Sequence, residues 1–324
     1  MPDTAFGGAC VPRYDRAVRR ARVGAALAVV AACALCVSST RAAAPGDMRA
    51  ATTLEIYGGV GSWLDIFAGS PWRRPLAVAT DLKARGVTTM YLQTSNYSQR
   101  TAIVQPALLG RLLDAAHAAG IRVVAWYLPS FADPATDAQR SLAAIRFRSA
   151  SGERFDSFAL DVEASLVRPA SLRNSRLLAL AARVRAALPK DVPLGAIIPS
   201  PVGMTRHPHY WPGFPYAGLA RVSDVFLPMA YFSHYVHRPD DVYEYTRRVV
   251  VDIRDRTGRP DLPIHVIGGL ASSTSTAAAT AFARAAADCS VDGVSLYAYP
   301  QTTLAQWRVL ADAELLGGGA ATGC

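Results

Sequence analysis

From residue 54 onward, short apolar runs alternate with longer amphipathic stretches. The runs are continuously apolar, as in strands covered on both faces, and the stretches between them have the period of helices packed on a core. The predicted strands are residues 54–57, 88–93, 122–127, 157–162, 194–198, 225–230, 264–267 and 293–297. The pattern therefore predicts eight successive strand–helix units.

Capping residues and glycines mark the boundaries of the predicted helices and strands. Asp133 and Pro134 combine an N-cap with a proline at the first helical position, Gly86 and Gly120 stand just before predicted strands, and Gly293 begins one. Helix starts are predicted at or next to Pro106, Pro134, Ser171, Pro239, Ser275, and Thr302 or Thr303. Eight such units in about 260 residues predict an α/β chain folded as a single closed (β/α)8 TIM barrel.

An open, doubly wound sheet is the alternative fold. Such a sheet normally carries a glycine-rich phosphate loop after its first strand, and Gly58-Gly59-Val60-Gly61 comes close to one. A Trp-Leu-Asp loop follows these glycines where a phosphate loop would lead into a helix. The barrel is therefore favoured.

The N-terminus resembles an export signal. Basic residues from Arg13 to Arg22 precede an apolar run, and an Ala-Ala-Ala sequence ending at Ala44 offers a cleavage site. The run has about fifteen residues, short of the roughly 20 that span a bilayer, so an uncleaved anchor is the alternative. We expect a leader at 1–44, the barrel at 45–316 and a loose tail at 317–324. The mature protein is expected to be secreted, periplasmic or lipid-anchored at the cell envelope.

The five cysteines support export without settling its form. The Val-Ala-Ala-Cys sequence ending at Cys33 resembles a bacterial lipoprotein box, in which Cys33 would carry the lipid. Cleavage near residue 44 would leave Cys289 and Cys324, and an exported chain could join these two in a disulfide. Their distance does not follow from the sequence.

Charge and composition narrow the class of partner. The chain of 324 residues has a net charge of +9, of which +4 lies in residues 1–44. Beyond the leader there is no dense run of lysine and arginine and no basic stretch interleaved with aromatic residues. Nucleic-acid binding is therefore not expected, and membrane contact is expected only through the leader or a lipid anchor.

The fourth predicted strand ends in two acids. Because side chains alternate along a strand, Asp161 and Glu163 point to the same face, and Ala159 points with them. Two carboxylates at the end of an apolar strand are costly to bury, which favours a catalytic role. A salt-bridged pair with no catalytic role is the alternative.

In a TIM barrel the chemistry lies at the carboxyl ends of the strands. The side chains that the predicted strands deliver there are mostly aromatic or hydroxyl-bearing, which suits the apolar faces and hydroxyl rims of sugars. The predicted substrate-binding residues are Tyr57, Gln93, Trp126, Trp211, Met229, Tyr231 and Tyr297. A carbohydrate polymer is therefore the expected partner.

Four loop histidines offer a different chemistry. Their spacings, His207-x-His209 and His234-x-x-His237, have no firmly linked carboxylate, so solvated side chains are favoured over metal ligands. No metal site and no cofactor are predicted. A metal-dependent hydrolase or deacetylase that uses these histidines with Asp161 is kept as an alternative.

The segment from Phe155 to Glu163 resembles the signature of family 18 glycoside hydrolases, the chitinase-like enzymes. That signature is Phe-Asp-Gly-x-Asp-x-Asp-x-Glu at the end of the fourth barrel strand. Its phenylalanine, its first aspartate and its last two acids are present here, whereas Ser157 replaces the glycine and Ala159 replaces the middle aspartate.

Two further strands extend the resemblance. Met229-Ala230-Tyr231 is similar to the family's Met-x-Tyr on the sixth strand, although Phe232 stands where an acid or amide is usual. Tyr297 corresponds to the aromatic residue of the eighth strand. More broadly, the chain resembles uncharacterised bacterial barrels that are classed with the glycosidases.

The resemblance implies an exported glycoside hydrolase that cleaves a polysaccharide, with N-acetylhexosamine as the candidate sugar. Glu163 would be the general acid, Asp161 would orient the substrate's acetamido group, and Tyr231 would hydrogen-bond that group. The substrate would supply the nucleophile. Because Ala159 lacks the family's middle acid, a barrel that binds glycan without cleaving it is the first alternative.

Overall fold

The computed structural model describes residues 53–313 and Cys324. Within this part of the chain, eight parallel strands pair in sequence order, and the eighth pairs with the first to close a barrel. The strands are β1 (Gly59–Leu64), β2 (Val87–Asn96), β3 (Arg122–Leu128), β4 (Ser157–Asp161), β5 (Leu194–Pro199), β6 (Val225–Met229), β7 (His265–Leu270) and β8 (Gly293–Tyr297). The predicted (β/α)8 barrel is confirmed, and the open sheet is excluded.

Ten α-helices in the same residues surround or extend the barrel. They are α1 (Thr53–Tyr57), α2 (Pro75–Ala84), α3 (Pro106–Ala118), α4 (Pro134–Arg146), α5 (Ala170–Ala187), α6 (Pro201–Arg206), α7 (Tyr216–Ala220), α8 (Pro239–Thr257), α9 (Thr276–Asp288) and α10 (Leu304–Ala311). None of them combines the length and the apolar composition that a membrane span requires.

Helices begin at or within two residues of every predicted start, and three of these starts have side-chain caps. The Asp133 side chain accepts hydrogen bonds from the first turn of α4, and Ser275 does the same for α9. Thr303 forms a reciprocal capping box with Gln306 at the start of α10. Seven of the eight predicted strands are also found, with ends that differ by at most three residues.

The predicted first strand, residues 54–57, is wrong. This segment is the short helix α1, and β1 begins two residues later at Gly59. The apolar run had the length of a strand, while the true strand starts Gly-Val-Gly, a composition that disfavours strands.

Close packing inside the barrel explains the second of these glycines. A Cβ atom on Gly61 would lie 2.6 Å from the ring of Tyr91 and 2.7 Å from the ring of His265. Only glycine fits that point of β1, so here the need for space outweighs strand propensity.

Apolar side chains form two layers. One lies between the outer face of the sheet and the helices, and the other fills the barrel interior, where Trp63 stacks on Tyr91 with ring centroids 4.2 Å apart. Trp126 meets Trp63 edge to face at 5.9 Å. The barrel is therefore a packed core with its opening at the carboxyl ends of the strands.

Polar groups inside the amino-terminal half of the barrel pair with one another. The buried His265 ring contacts the main-chain oxygen of Tyr57 at 2.8 Å, the Ser295 hydroxyl at 3.0 Å and the Tyr91 hydroxyl at 3.1 Å. Burial lowers the pKa of His265 to about 4. This histidine is therefore a neutral structural group near neutral pH.

Some predictions concern residues outside the described ranges. The leader at 1–44, with Cys33, and the tail at 317–323 lie outside them. The terminal Cys324 is described and forms a disulfide with Cys289, with the two Cα atoms 5.0 Å apart.

Asp156 directly precedes β4 and fixes the start of that strand by hydrogen bonds. Its carboxylate accepts hydrogen bonds from the Val123 amide at 2.7 Å, from His117 at 2.9 Å and from Arg122 at 3.0 Å. Burial alone would raise its pKa, but these contacts outweigh burial and hold the pKa below its usual range. Asp156 therefore joins β3, α3 and β4 at the end of the barrel away from the acid pair.

We predict that Asp156→Asn lowers the free energy of unfolding by about 1–3 kcal/mol, because charge-assisted hydrogen bonds to a mostly buried group are lost. Denaturant unfolding measures the change. The matched control is Asp191→Asn, an exposed residue between α5 and β5. Equal stability of the two variants would contradict this role for Asp156.

Candidate active site

The two predicted acids lie together at the opening of the barrel. Asp161 is the last residue of β4 and is only 6% exposed, and Glu163 follows it with partial exposure. Tyr127 on β3 and Ile197 on β5 belong to the strands on either side. The carboxyl end of β4 therefore presents one buried and one accessible carboxyl group.

Burial changes the protonation of both groups. It raises the pKa of Glu163 to about 7, and burial together with the charge of Glu163 raises the pKa of Asp161 well above its usual range. Two carboxylates this close cannot both ionise easily in an apolar setting. Near neutral pH the pair therefore keeps a proton available.

The floor under the pair is apolar. Ala159 is fully buried and pairs in register with Trp126, and both belong to the interior cluster. In the described part of the chain, Asp161 Oδ1 and the buried indole N–H of Trp126 have no hydrogen-bond partner. Two buried polar atoms at the floor are thus left for a ligand or solvent to satisfy.

Aromatic residues at and just after the carboxyl ends of β8 and β6 pack against the same interior cluster. Tyr231 and Tyr297 pack with ring centroids 6.1 Å apart, and Met229 belongs to the same interior cluster. The Tyr297 hydroxyl donates a hydrogen bond of 2.9 Å to Asp65, which follows β1. The structure thus brings together Asp161, Glu163 and the predicted residues Trp126, Met229, Tyr231 and Tyr297.

Tyr210 is a site residue that sequence reasoning passed over. Its hydroxyl donates a short hydrogen bond to the main-chain oxygen of Glu163. Burial, then the charge of Glu163, raises the pKa of Tyr210. The signal in the sequence is its place in the long aromatic loop after β5, next to the predicted Trp211.

Trp211 faces the protein rather than the opening. It is 3% exposed, its indole N–H donates to Asn174 at 2.6 Å, and the Arg173 guanidinium lies 3.9 Å from its ring centre. Arg173 also donates to the main-chain oxygen of Tyr210 at 2.8 Å. Trp211 therefore anchors the loop that carries Tyr210.

Tyr57 lies at the wrong end of the barrel to bind substrate. It belongs to α1, before β1, and its hydroxyl is hydrogen-bonded at 2.7 Å to Ser157 at the start of β4. The error follows from the misplaced first strand, since Tyr57 would end a strand at residues 54–57. In the structure Tyr57 fills the amino-terminal end of the barrel and is fully buried.

Gln93 lies in β2, and its side chain fixes the loop that follows β1. It is 3% exposed, and its carbonyl oxygen accepts a hydrogen bond of 3.1 Å from the Ile66 amide. Ile66 directly follows Asp65. Gln93 thus fixes the segment after β1, and through it the position of Asp65.

The loop histidines do not assemble a metal centre. Across residues 53–313, no group of three or more His, Cys, Asp or Glu side chains lies close enough to hold a metal ion. His209, His234 and His237 are exposed.

Comparison with known proteins identifies the fold. No protein-family model matches the chain, and no curated protein matches its sequence. Solved structures that match include the glycoside hydrolase domain of PgaB (BpsB) from Bordetella bronchiseptica, with 13% identity over 80% of this chain and 99% of that one and a TM-score of 0.59.

Two further structures give the same result. A chitinase from Chromobacterium violaceum shares 11% identity over 80% of this chain and 100% of its own, with a TM-score of 0.58. An endo-β-1,4-mannanase from Thermotoga petrophila shares 11% identity over 75% of this chain and 68% of its own, also at 0.58. The expected resemblance to barrel-type glycoside hydrolases thus holds at the level of the fold.

We predict that Glu163→Gln stabilises the protein more at pH 8 than at pH 5. A carboxyl group whose pKa rises from 4.5 to about 7 on folding contributes stability below pH 4.5 that is lost as the pH rises towards 7. Glutamine removes this titration. The gain over wild type should therefore grow with pH, reaching on the order of 1–3 kcal/mol.

Denaturant unfolding at several pH values measures this difference. Glu244→Gln, at an exposed position on α8, is the matched control and should show no such trend. Parallel stability curves for wild type and Glu163→Gln would show that Glu163 is not held in its neutral form by burial.

Proposed function

We propose that this protein is a glycoside hydrolase and that Glu163 is its general acid. The observation that carries the proposal is the place of Glu163 just after the carboxyl end of β4, beside the buried Asp161, where burial raises its pKa to about 7. A general acid must hold its proton at the working pH and release it in the transition state. The likeness in fold to several glycoside hydrolases supports the same class of reaction.

The proposed substrate is a polysaccharide that contains N-acetylhexosamine. Glu163 donates its proton to the glycosidic oxygen as the bond from that oxygen to the anomeric carbon breaks. The acetamido oxygen of the same sugar forms the new bond to that carbon, and water then opens the resulting oxazolinium while Glu163 takes a proton back. No enzyme nucleophile is needed.

Asp161 assists from the same strand end. Its Oδ1 atom is buried and has no hydrogen-bond partner in the described residues, so an acetamido N–H placed there would satisfy it. When the proton shared by the pair is on Glu163, the negative charge of the pair lies on Asp161, where it would stabilise the positive charge that develops on the acetamido group. Trp126, Met229, Tyr231 and Tyr297 would form the wall against which the sugar packs.

Ala159 and Phe232 favour a second candidate, a barrel that binds glycan without cleaving it. Both positions carry apolar residues where the resemblance leads one to expect polar groups. Phe232 is 1% exposed and packs on Phe282 with ring centroids 5.7 Å apart, so it belongs to the core. The alanine at 159 has no proton to relay to Asp161.

Glu163→Gln should lower the rate of polysaccharide cleavage by about 10²–10⁴-fold, the usual contribution of a general acid, while binding persists. Asp161→Asn should also impair turnover. Wild-type activity should fall as the pH rises above about 7, because Glu163 then loses its proton. The assay is release of reducing ends from N-acetylhexosamine and neutral polysaccharides.

The control for this assay is Glu244→Gln, which keeps the acid pair and should cleave at the wild-type rate. Full activity in Glu163→Gln would refute the proposed general acid. Binding of glycans by wild type with no cleavage of any of them would establish the non-catalytic barrel.

We also propose that the protein is exported. The support is the basic segment followed by a short apolar run in the first 44 residues. The expected outcome is a mature chain that starts near residue 45, or at a lipidated Cys33. N-terminal sequencing and mass spectrometry of secreted and membrane fractions distinguish the two forms, and a cytosolic chain that begins at Met1 would refute export.

A further inference from the structure

Asp65 is a third carboxyl group at the carboxyl end of the barrel strands, three strands away from the acid pair. It directly follows β1 and is partly buried. Its Oδ1 atom accepts a hydrogen bond of 2.8 Å from the Phe67 amide, and its Oδ2 atom accepts one of 2.9 Å from the Tyr297 hydroxyl. Both oxygens of Asp65 therefore act as acceptors.

The main chain around Asp65 is held firmly. The Trp72 indole N–H donates to the Asp65 carbonyl at 2.7 Å, and Gln93 accepts from the next amide, that of Ile66. The Tyr299 amide donates to the Trp63 carbonyl at 3.1 Å, which joins the segment after β8 to the end of β1. The contact between Asp65 and Tyr297 thus depends on the closure of the barrel between β8 and β1.

Tyr297 links Asp65 to the site. Its ring packs on Tyr231, and burial followed by the charges of Asp65, Tyr231 and Asp161 raises its pKa, so the hydroxyl stays protonated. A phenol has one proton and two acceptor positions. Because Asp65 takes the proton, the oxygen of Tyr297 can only accept further hydrogen bonds.

We propose that Asp65 is a positioning residue that makes Tyr297 an obligate acceptor, so that Tyr297 selects a sugar carrying a hydrogen-bond donor at this point. The inference rests on the proposed function, since it takes a glycan as the ligand. The donor is an acetamido N–H or a sugar hydroxyl, and either group would donate its hydrogen bond to the Tyr297 oxygen.

Asp65→Asn tests this idea without changing the size of the side chain. The Phe67 amide needs an acceptor, so the asparagine oxygen should take the place of Oδ1 and the amide nitrogen should face Tyr297. That nitrogen donates to the phenol oxygen and turns the phenol proton towards the site. Tyr297 then becomes a donor that opposes the donor on the sugar.

Binding is measured by calorimetry in the Glu163→Gln background, so that cleavage does not interfere. The probes are the N-acetylglucosamine tetramer and cellotetraose, which has no amide. Asp65→Asn and Tyr297→Phe should each weaken binding about 3- to 10-fold. Because Asp65 acts through Tyr297, Asp65→Asn should have no further effect in Tyr297→Phe.

If the role of Asp65 were merely structural, Asp65→Asn would weaken binding further in the Tyr297→Phe variant. It would also lower the free energy of unfolding by equal amounts with Tyr297 and with Phe at position 297. Asp191→Asn is the control and should bind both probes as the background does. Loss restricted to the amide-bearing tetramer identifies the acetamido N–H as the donor, and equal loss for both probes identifies a hydroxyl.

Unchanged binding in a folded Asp65→Asn variant overturns the inference while leaving Glu163 as the acid. Failure of both probes to bind also overturns it. The proposed function fails separately, when wild type cleaves no polysaccharide or when Glu163→Gln cleaves at the wild-type rate.

Discussion

The seam between β8 and β1 is the constraint on which the site depends. The two strands pair at only two positions, Gly59 with Gly293 and Val60 with Val294. A Cβ atom on Gly293 would lie 2.2 Å from the ring of His265 on β7 and 2.3 Å from the main-chain oxygen of Tyr57 in α1, so β8 has no room for a side chain where it begins to pair with β1. Closure at this seam places Asp65 beside Tyr297 and completes the wall around the acids.

The packed interior then determines the electrostatics. Large rings such as Trp63 and Trp126 fill the space beneath the opening, so the end of β4 lies against apolar side chains. In such a setting a neutral carboxyl group is favoured over a charged one, and the pKa of Glu163 rises to about 7. The same apolar packing that stabilises the barrel therefore prepares a carboxyl group for proton donation.

Aromatic residues near the site divide into two groups that do different work. Trp211 is held by Arg173 and Asn174 and anchors a loop, whereas its neighbour Tyr210 touches the main chain of Glu163. Tyr57 fills the far end of the barrel, whereas Tyr297 faces Tyr231 at the opening. Both members of each comparison are aromatic, and in the second both are tyrosines, so the surroundings decide which ring is structural.

The sequence by itself determined the barrel and the position of the acid pair. The alternation of apolar strands and capped helices is a local property, and the two-residue spacing of Asp161 and Glu163 dictates their common face once β4 exists. Caps such as Asp133 and Thr303 were readable because a cap involves only residues within one turn. Only the position of β1 was predicted wrongly, because its glycines, which the packing of the barrel requires, weaken the local signal of a strand.

The tertiary structure alone decided which side chains reach the acids. Asp65 and Tyr297 are 232 residues apart in the chain and meet only because the barrel closes. The places of Tyr210 and Trp211 depend on contacts with α5, and the role of Gln93 depends on the segment after β1. Such contacts join distant residues, and no spacing along the chain encodes them; burial, which raises the pKa of Glu163, is likewise a property of the assembled barrel.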